Sequence, residues 1–340
     1  MIDSAESQKL RATLCGIAAA LLWSTTIAAG RALTETFGSL LTVALIHFCA
    51  AIISIVYLLL SPRARRGIAT NSRKYTLGCG TLFLVYVLTF YQAVGLASSR
   101  EQVVVIGIIN YLWPALSLLL SIPILGNRTS LPVLLFANCI AVCGIALAIA
   151  SSGGLSLSGL LAAMRADCLP YALVFIAAVA WGLYNNLSRK WGGEAGGGTV
   201  PLLIIASAIL LSPVVAANYG RIIWSFGTLG MLLFVAVFPT FLAYFFWDFA
   251  QRKGHHTLVN SMAYAIPVLS TLTTGLFFKL DIPALTWLGC LLVIAGAVLA
   301  RLVIAERSPA AEQSGTMTLR EIAGRNAGRV RQVILRRGPD

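Results

Sequence analysis

IGIINYLWPALSLLL, residues 106–120, reads as a membrane helix at both ends and as something else in the middle. Asn110, Tyr111, Trp113 and Pro114 interrupt a run that is otherwise mostly Ile and Leu. Proline inside a helix removes a backbone hydrogen bond, and its ring collides with the carbonyl four residues back. In hydrocarbon such a break is tolerated only where protein or a water-filled cavity satisfies the freed groups. The segment therefore predicts an interrupted helix facing the inside of a bundle. A second stretch repeats the pattern: YAIPVLS at 264–270 matches YLWPALS at 111–117, with Tyr264 on Tyr111 and Pro267 on Pro114.

The rest of the chain fits that reading. Of 340 residues, 58% are hydrophobic and 11% charged, against about 25% charged in soluble domains. Mean hydropathy is +0.86. The apolar residues fall into ten segments near the length that crosses a bilayer: 12–30, 39–60, 75–96, 102–122, 131–150, 170–189, 200–217, 228–249, 256–278 and 283–303. Lys9 and Arg11 ahead of the first segment resemble a signal peptide. Its apolar part is too long and no small-x-small cleavage site follows, so a retained helix is expected.

A net charge of +13 could suggest nucleic acid, but the placement of the charges points to topology. If sides alternate from a cytoplasmic N-terminus, one side holds Lys9, Arg11, Arg63, Arg65, Arg66, Arg73, Lys74, Arg128, Arg189, Lys190, Arg252, Lys253 and every arginine from Arg301 onward. Only Arg31, Arg100, Arg165, Arg221 and Lys279 fall on the other. Positive charge collects on the cytoplasmic side of membrane proteins, so both termini are expected inside and no nucleic acid partner is implied. Cys139 and Cys143 share a helix face, but no histidine or acid sits near them in sequence and packing is the expected role. Asn127-Arg128-Thr129 matches a glycosylation sequon in a short cytoplasmic turn and is read as chance.

The proline pair is one of several internal matches. ALLWSTTIAAGR in the first segment aligns with AVAWGLYNNLSR in the sixth, the same spacing relating Trp23 to Trp181 and Arg31 to Arg189. GIALA at 144–148 aligns with GAVLA at 296–300, and Phe90-Tyr91 more weakly with Phe246-Trp247. Each half then has five helices, and an odd number turns the second half upside down. Inverted repeats are an architecture of secondary transporters, with the substrate path near the midplane at the repeat interface. The expected fold is all-α: ten transmembrane helices in two inverted five-helix repeats, residues 1–153 and 154–303. A basic cytoplasmic tail, 304–340, is expected to be disordered and drawn to the membrane by charge.

Polar and aromatic residues inside spans usually face the bundle interior. Trp23, Tyr86, Tyr91, Asn110, Tyr111, Trp113, Trp181, Tyr184, Tyr244, Trp247 and Tyr264 are the expected cavity lining, with Pro114 and Pro267 as helix breaks or hinges. Ser24, Thr25, Thr26, Gln92, Asn185 and Asn186 add hydroxyls and amides. Rings and neutral polar groups without a dedicated charge suit neutral or zwitterionic solutes, each ring contact worth on the order of 1 kcal/mol. For any single ring, plain helix packing is the competing reading. Proton coupling would need a buried titratable group; His47 and Asp248 are the candidates, each read first as a satisfied structural residue. No P-loop, HExxH, metal cluster or GxSxG elbow occurs, so neither an enzyme nor an ATP-driven pump is implied, and no cofactor or metal is expected.

Tryptophan in spans one and six, Tyr-x-x-Pro in spans four and nine, NYLWP at 110–114 and LLWST at 21–25 together resemble the drug/metabolite transporter superfamily, EamA type, and within it the aromatic amino acid exporters. The resemblance covers residues 10–303. It implies a bacterial inner-membrane exporter of amino acids, a basket-like bundle, and a central cavity lined by Tyr86, Tyr111, Trp113 and Trp181. YAIP lacks the tryptophan of NYLWP, so the two half-sites differ chemically. Amino acids and the lipid bilayer are the expected partners, with no obligate protein partner. A facilitator without an obligatory proton step is the leading reading; a drug or metabolite exporter of the same superfamily, proton-coupled or not, is the alternative.

Overall fold

The computed structural model describes residues 2–97, 100–152, 158, 165, 167–192, 197–222, 224–278 and 283–305. Lys279 and the tail beyond Ala305 lie outside these residues. Everything described is helix or short connection, apart from one isolated antiparallel bridge, Arg128 to Ala305. Among the described residues eight helices are long and apolar enough to cross a membrane: Ser39–Leu60, Lys74–Leu96, Val105–Leu125, Leu131–Ala148, Leu169–Trp191, Thr199–Asn218, Phe226–Lys253 and Ala284–Val303. The other two expected spans, 12–30 and 256–278, are each two helices. Ile2–Ser24 gives way to Thr26–Phe37 at Thr25, and His256–Met262 gives way to Ala265–Phe278 at Ala263-Tyr264.

Proline explains the second of these breaks and a further one inside the span Val105–Leu125. Helix Arg100–Asn110 stops four residues before Pro114, and helix Trp113–Leu125 begins one residue before it. At the second break Ala263 stands four residues before Pro267, where the missing N–H leaves its carbonyl to Ile266 N at 3.1 Å. Both are the collision and lost donor expected of an interior proline. Lys74–Cys79 and Ala236–Leu242 are π-helical segments, one in the third span and one in the eighth, the latter around Pro239. Such bulges in membrane-length helices commonly sit at functional sites.

Packing carries the same duplication. The third span packs on the sixth as the eighth packs on the first, the second packs on the seventh and the fifth on the tenth. The fifth and tenth meet backbone to backbone. A Cβ added to Gly144 would lie 2.7 Å from Gly289 O, and one added to Gly296 would lie 2.7 Å from Ala137 O. Small residues permit this approach between membrane helices, where dispersion contacts replace the hydrophobic effect as the attraction.

Candidate functional site

Where the breaks and π-helical segments converge, aromatic side chains from five of the spans meet. Trp181, 2% exposed, sits at the centre. It stacks on Tyr184 (4.9 Å, 12°) and lies against Tyr86 (4.6 Å), Tyr244 (5.7 Å), Phe83 (6.0 Å) and Trp23 (6.1 Å). Trp113 stands edge-on to Trp181 at 6.4 Å and to Trp247 at 5.4 Å, and Trp23 closes the ring at 5.1 Å from Trp247. Within this cage Trp247 is fully buried, whereas Trp23, Tyr86, Tyr91 and Tyr111 keep partly exposed faces. The half-buried rings form the rim and the buried ones the wall behind it.

Neutral polar groups hold the cage in place. The indole N–H of Trp23 donates to Pro239 O at 2.9 Å, tying the first span to the π-helical segment of the eighth. The Trp247 indole donates to Asn185 Oδ1 at 2.9 Å, and Asn185 Nδ2 donates to Ser117 Oγ at 2.9 Å. Ser117 Oγ in turn donates to Trp113 O at 2.8 Å. Asn186 Nδ2 donates to Ser117 O and Gly182 O, both at 2.9 Å. Asn110 Oδ1 is buried with no partner among the described residues. Tyr111, at the break before Pro114, packs against both this cluster and the one that holds Leu134.

One helical turn from the cage, towards the basic end of the bundle, lies a buried ion pair. Asp248 Oδ2 accepts from Arg252 Nε at 2.8 Å, with both side chains under 5% exposed. Asp248 Oδ1 accepts from three hydroxyls: Tyr75 at 2.6 Å, Tyr184 at 3.0 Å and Ser188 at 3.2 Å. A buried carboxylate is stable only when paired and fully hydrogen-bonded, and this one is. Further contacts cross-link the surrounding end. Arg189 donates to the carbonyls of Arg252 and Gly254, Ser72 donates to Trp191 O, and a Cβ on Gly192 would strike the Arg252 side chain.

Most of the expected lining residues fall in or beside this cage: Trp23, Tyr86, Trp113, Trp181, Tyr184, Tyr244 and Trp247 as its rings, Asn110 and Tyr111 at its edge. Tyr91 is one step removed, edge-on to His47 at 5.8 Å. His47 is 1% exposed; its Nδ1 donates to Val43 O at 3.0 Å and its Nε2 has no partner among the described residues. Tyr264 is elsewhere. It is fully buried in a separate cluster with Leu134, Ala137 and Val293, its hydroxyl donating to Asn138 at 2.7 Å. Pro114 and Pro267 both sit at breaks. Phe83, Tyr75, Ser188 and Arg252 escaped the sequence reading. Phe83 is indistinguishable by type from lipid-facing phenylalanine, but Asp248 and Arg252 carried a signal, since an acid and a base one helical turn apart can pair.

The sequence pattern of the EamA-like transporter family matches residues 10–150 and again 169–302. Proteins named aromatic amino acid exporter YddG are similar over most of the chain. That of Salmonella typhimurium (strain 14028s / SGSC 2262) is 27% identical, covering 87% of this chain and 99% of its own. That of Escherichia coli (strain K12) is 27% identical, covering 85% and 96%. That of Ancylobacter novellus is 28% identical, covering 86% and 97%. A solved crystal structure superposes with a TM-score of 0.69 at 24% identity, covering 85% of this chain and 96% of that one. At that identity the likeness concerns the fold.

Proposed function

Because the chain belongs to the EamA-like transporter family, multi-pass membrane transporters rather than enzymes, we propose that it exports amino acids across the bacterial inner membrane. Aromatic and large neutral amino acids are the foremost substrates, and no proton is obligatorily coupled. The observation that carries this is the cage around Trp181, four tryptophans and three tyrosines held by neutral amides, carbonyls and a hydroxyl. Such a site offers ring stacking and cation–π contact at about 1 kcal/mol each, which favours weak binding and ready release. The name of the relatives supports the same substrate class.

In this reading the half-buried Trp23, Tyr86 and Tyr111 face the substrate, backed by the buried Trp113, Trp181 and Tyr244, with Tyr91 at the mouth. The prolines at 114 and 267 are hinges. The bundle is ten helices in two inverted repeats divided near residues 153 and 154, with the basic end and both termini in the cytoplasm. The full complement of donors on Asp248 speaks against that carboxylate as an obligatory proton carrier.

Counterflow of radiolabelled phenylalanine and threonine into proteoliposomes, with and without an imposed pH gradient, tests the proposal. Uptake indifferent to the gradient is expected. Uptake that follows the gradient would return the proton step to His47 or Asp248. Counterflow of neither amino acid would overturn the substrate class.

A further inference from the structure

The positions that the internal repeat pairs with this buried ion pair are uncharged. The internal repeat relates Tyr184 to Thr26, Ser188 to Gly30, Asp248 to Gln92 and Arg252 to Leu96. At the basic end these positions, with Tyr75, form one cross-linked knot joining the third, sixth and eighth spans. At the opposite end their equivalents carry no charge. Gln92 and Leu96 are exposed, a Cβ on Gly30 would meet nothing within 4 Å, and Thr26 Oγ1 has no partner among the described residues.

The knot also sits directly under the cage. Tyr184 donates to Asp248 with its hydroxyl and stacks on Trp181 with its ring. A solute moving between the cage and the basic end must therefore separate Asp248 from its partners. Doing so in a buried site would strand two opposite charges at high cost, unless the solute supplies replacements for both.

We propose that the Asp248–Arg252 pair, with Tyr75, Tyr184 and Ser188, is the latch of the basic-end gate, and that a zwitterionic substrate opens it by exchange. The substrate carboxylate takes Arg252 and its ammonium takes Asp248, so each charge stays paired throughout. The exchange rests on the amino acid reading of the cage; the latch does not. It explains how a pathway barred by a salt bridge passes amino acids without a proton step, and it makes the latch a filter for zwitterions over solutes bearing one charge.

A native reporter lies in place. Cys79, one turn from Tyr75, is fully buried beside Ser188 and Asp248. With the other six cysteines replaced, the rate at which N-ethylmaleimide labels Cys79 in proteoliposomes reports the open fraction. Phenylalanine should raise that rate roughly tenfold or more, whereas phenethylamine and 3-phenylpropionate, each lacking one charge, should leave it unchanged. Asp248→Asn should label rapidly without any solute. Tyr75→Phe, which keeps the ion pair and loses one hydrogen bond, should be intermediate and guards against a misfolded Asn variant. Slow labelling in Tyr75→Phe, equal to the unsubstituted latch, would overturn the latch. Equal acceleration by phenethylamine would overturn the exchange. No acceleration by phenylalanine where counterflow succeeds would also overturn the exchange while sparing the amino acid reading; failure of counterflow itself would remove that reading, leaving the variants to judge the latch.

Discussion

Trp23 and Trp247 offer a matched pair for separating lining from packing. Their rings are 5.1 Å apart and each indole N–H makes one hydrogen bond of 2.9 Å, Trp23 to Pro239 O and Trp247 to Asn185 Oδ1. Replacing either by Phe keeps a ring and deletes that donor. A buried acceptor left without its donor costs about 1–3 kcal/mol, so Trp23→Phe and Trp247→Phe should destabilise the protein comparably. Only Trp23 has a partly exposed face, while Trp247 is fully enclosed. The smaller ring in Trp23→Phe should therefore also weaken substrate stacking by about 0.5–1 kcal/mol, a two- to five-fold loss of affinity. The same change at Trp247 should leave affinity nearly intact. Thermal unfolding in detergent, followed by size-exclusion chromatography, measures the first quantity; binding of radiolabelled phenylalanine measures the second. An affinity loss confined to Trp247→Phe, or equal in both, would refute the division into rim and wall.

Other substitutions probe the frame. Gly144→Val should push the fifth and tenth spans apart, because its Cβ would lie 2.7 Å from Gly289 O and Val293 N. A loss of about 1–3 kcal/mol or more is expected for such overpacking, read as reduced yield and earlier thermal aggregation. Tyr264→Phe removes the 2.7 Å bond to Asn138 in a cluster away from the cage. It should cost about 1 kcal/mol of stability while binding stays unchanged. Pro114→Ala returns an N–H that can donate to Asn110 O and favours a continuous helix. Turnover in counterflow should fall more than affinity; unchanged turnover would mean that the break is not a moving part.

The reach of the sequence can be judged residue by residue. Pro114 and Pro267 announced their breaks because a missing donor and a clashing ring act through local backbone geometry alone. Most of the cage was legible for a similar reason, since tryptophan and tyrosine in mid-span stand out against leucine. Tyr264 shows the limit of that reasoning. It occupies the place in the repeat that Tyr111 occupies in the first half, but its hydroxyl found Asn138 between helices and its ring packs with apolar neighbours. Which way a ring turns is decided by helices distant in sequence. Tyr75 and Ser188 were hidden more deeply, being ordinary polar residues near span ends until folding brings both onto one carboxylate oxygen.

The pattern of packing between the two halves bears on how the protein is made. The fifth span's principal neighbour is the tenth, the second's is the seventh, the third's is the sixth and the first's is the eighth. Each helix of the early half that makes these pairings thus waits for a mate that the ribosome delivers much later. The closing bridge from Arg128 to Ala305 forms only once the last span has left the translocon. Until then the polar faces of Trp23, Tyr75 and Ser117 have no partners on the sixth or eighth span and stand in lipid or against provisional neighbours. Assembly therefore joins helices across the two halves rather than docking two finished halves. The two halves produced as separate polypeptides should each be unstable alone and recover transport only when synthesised in the same membrane.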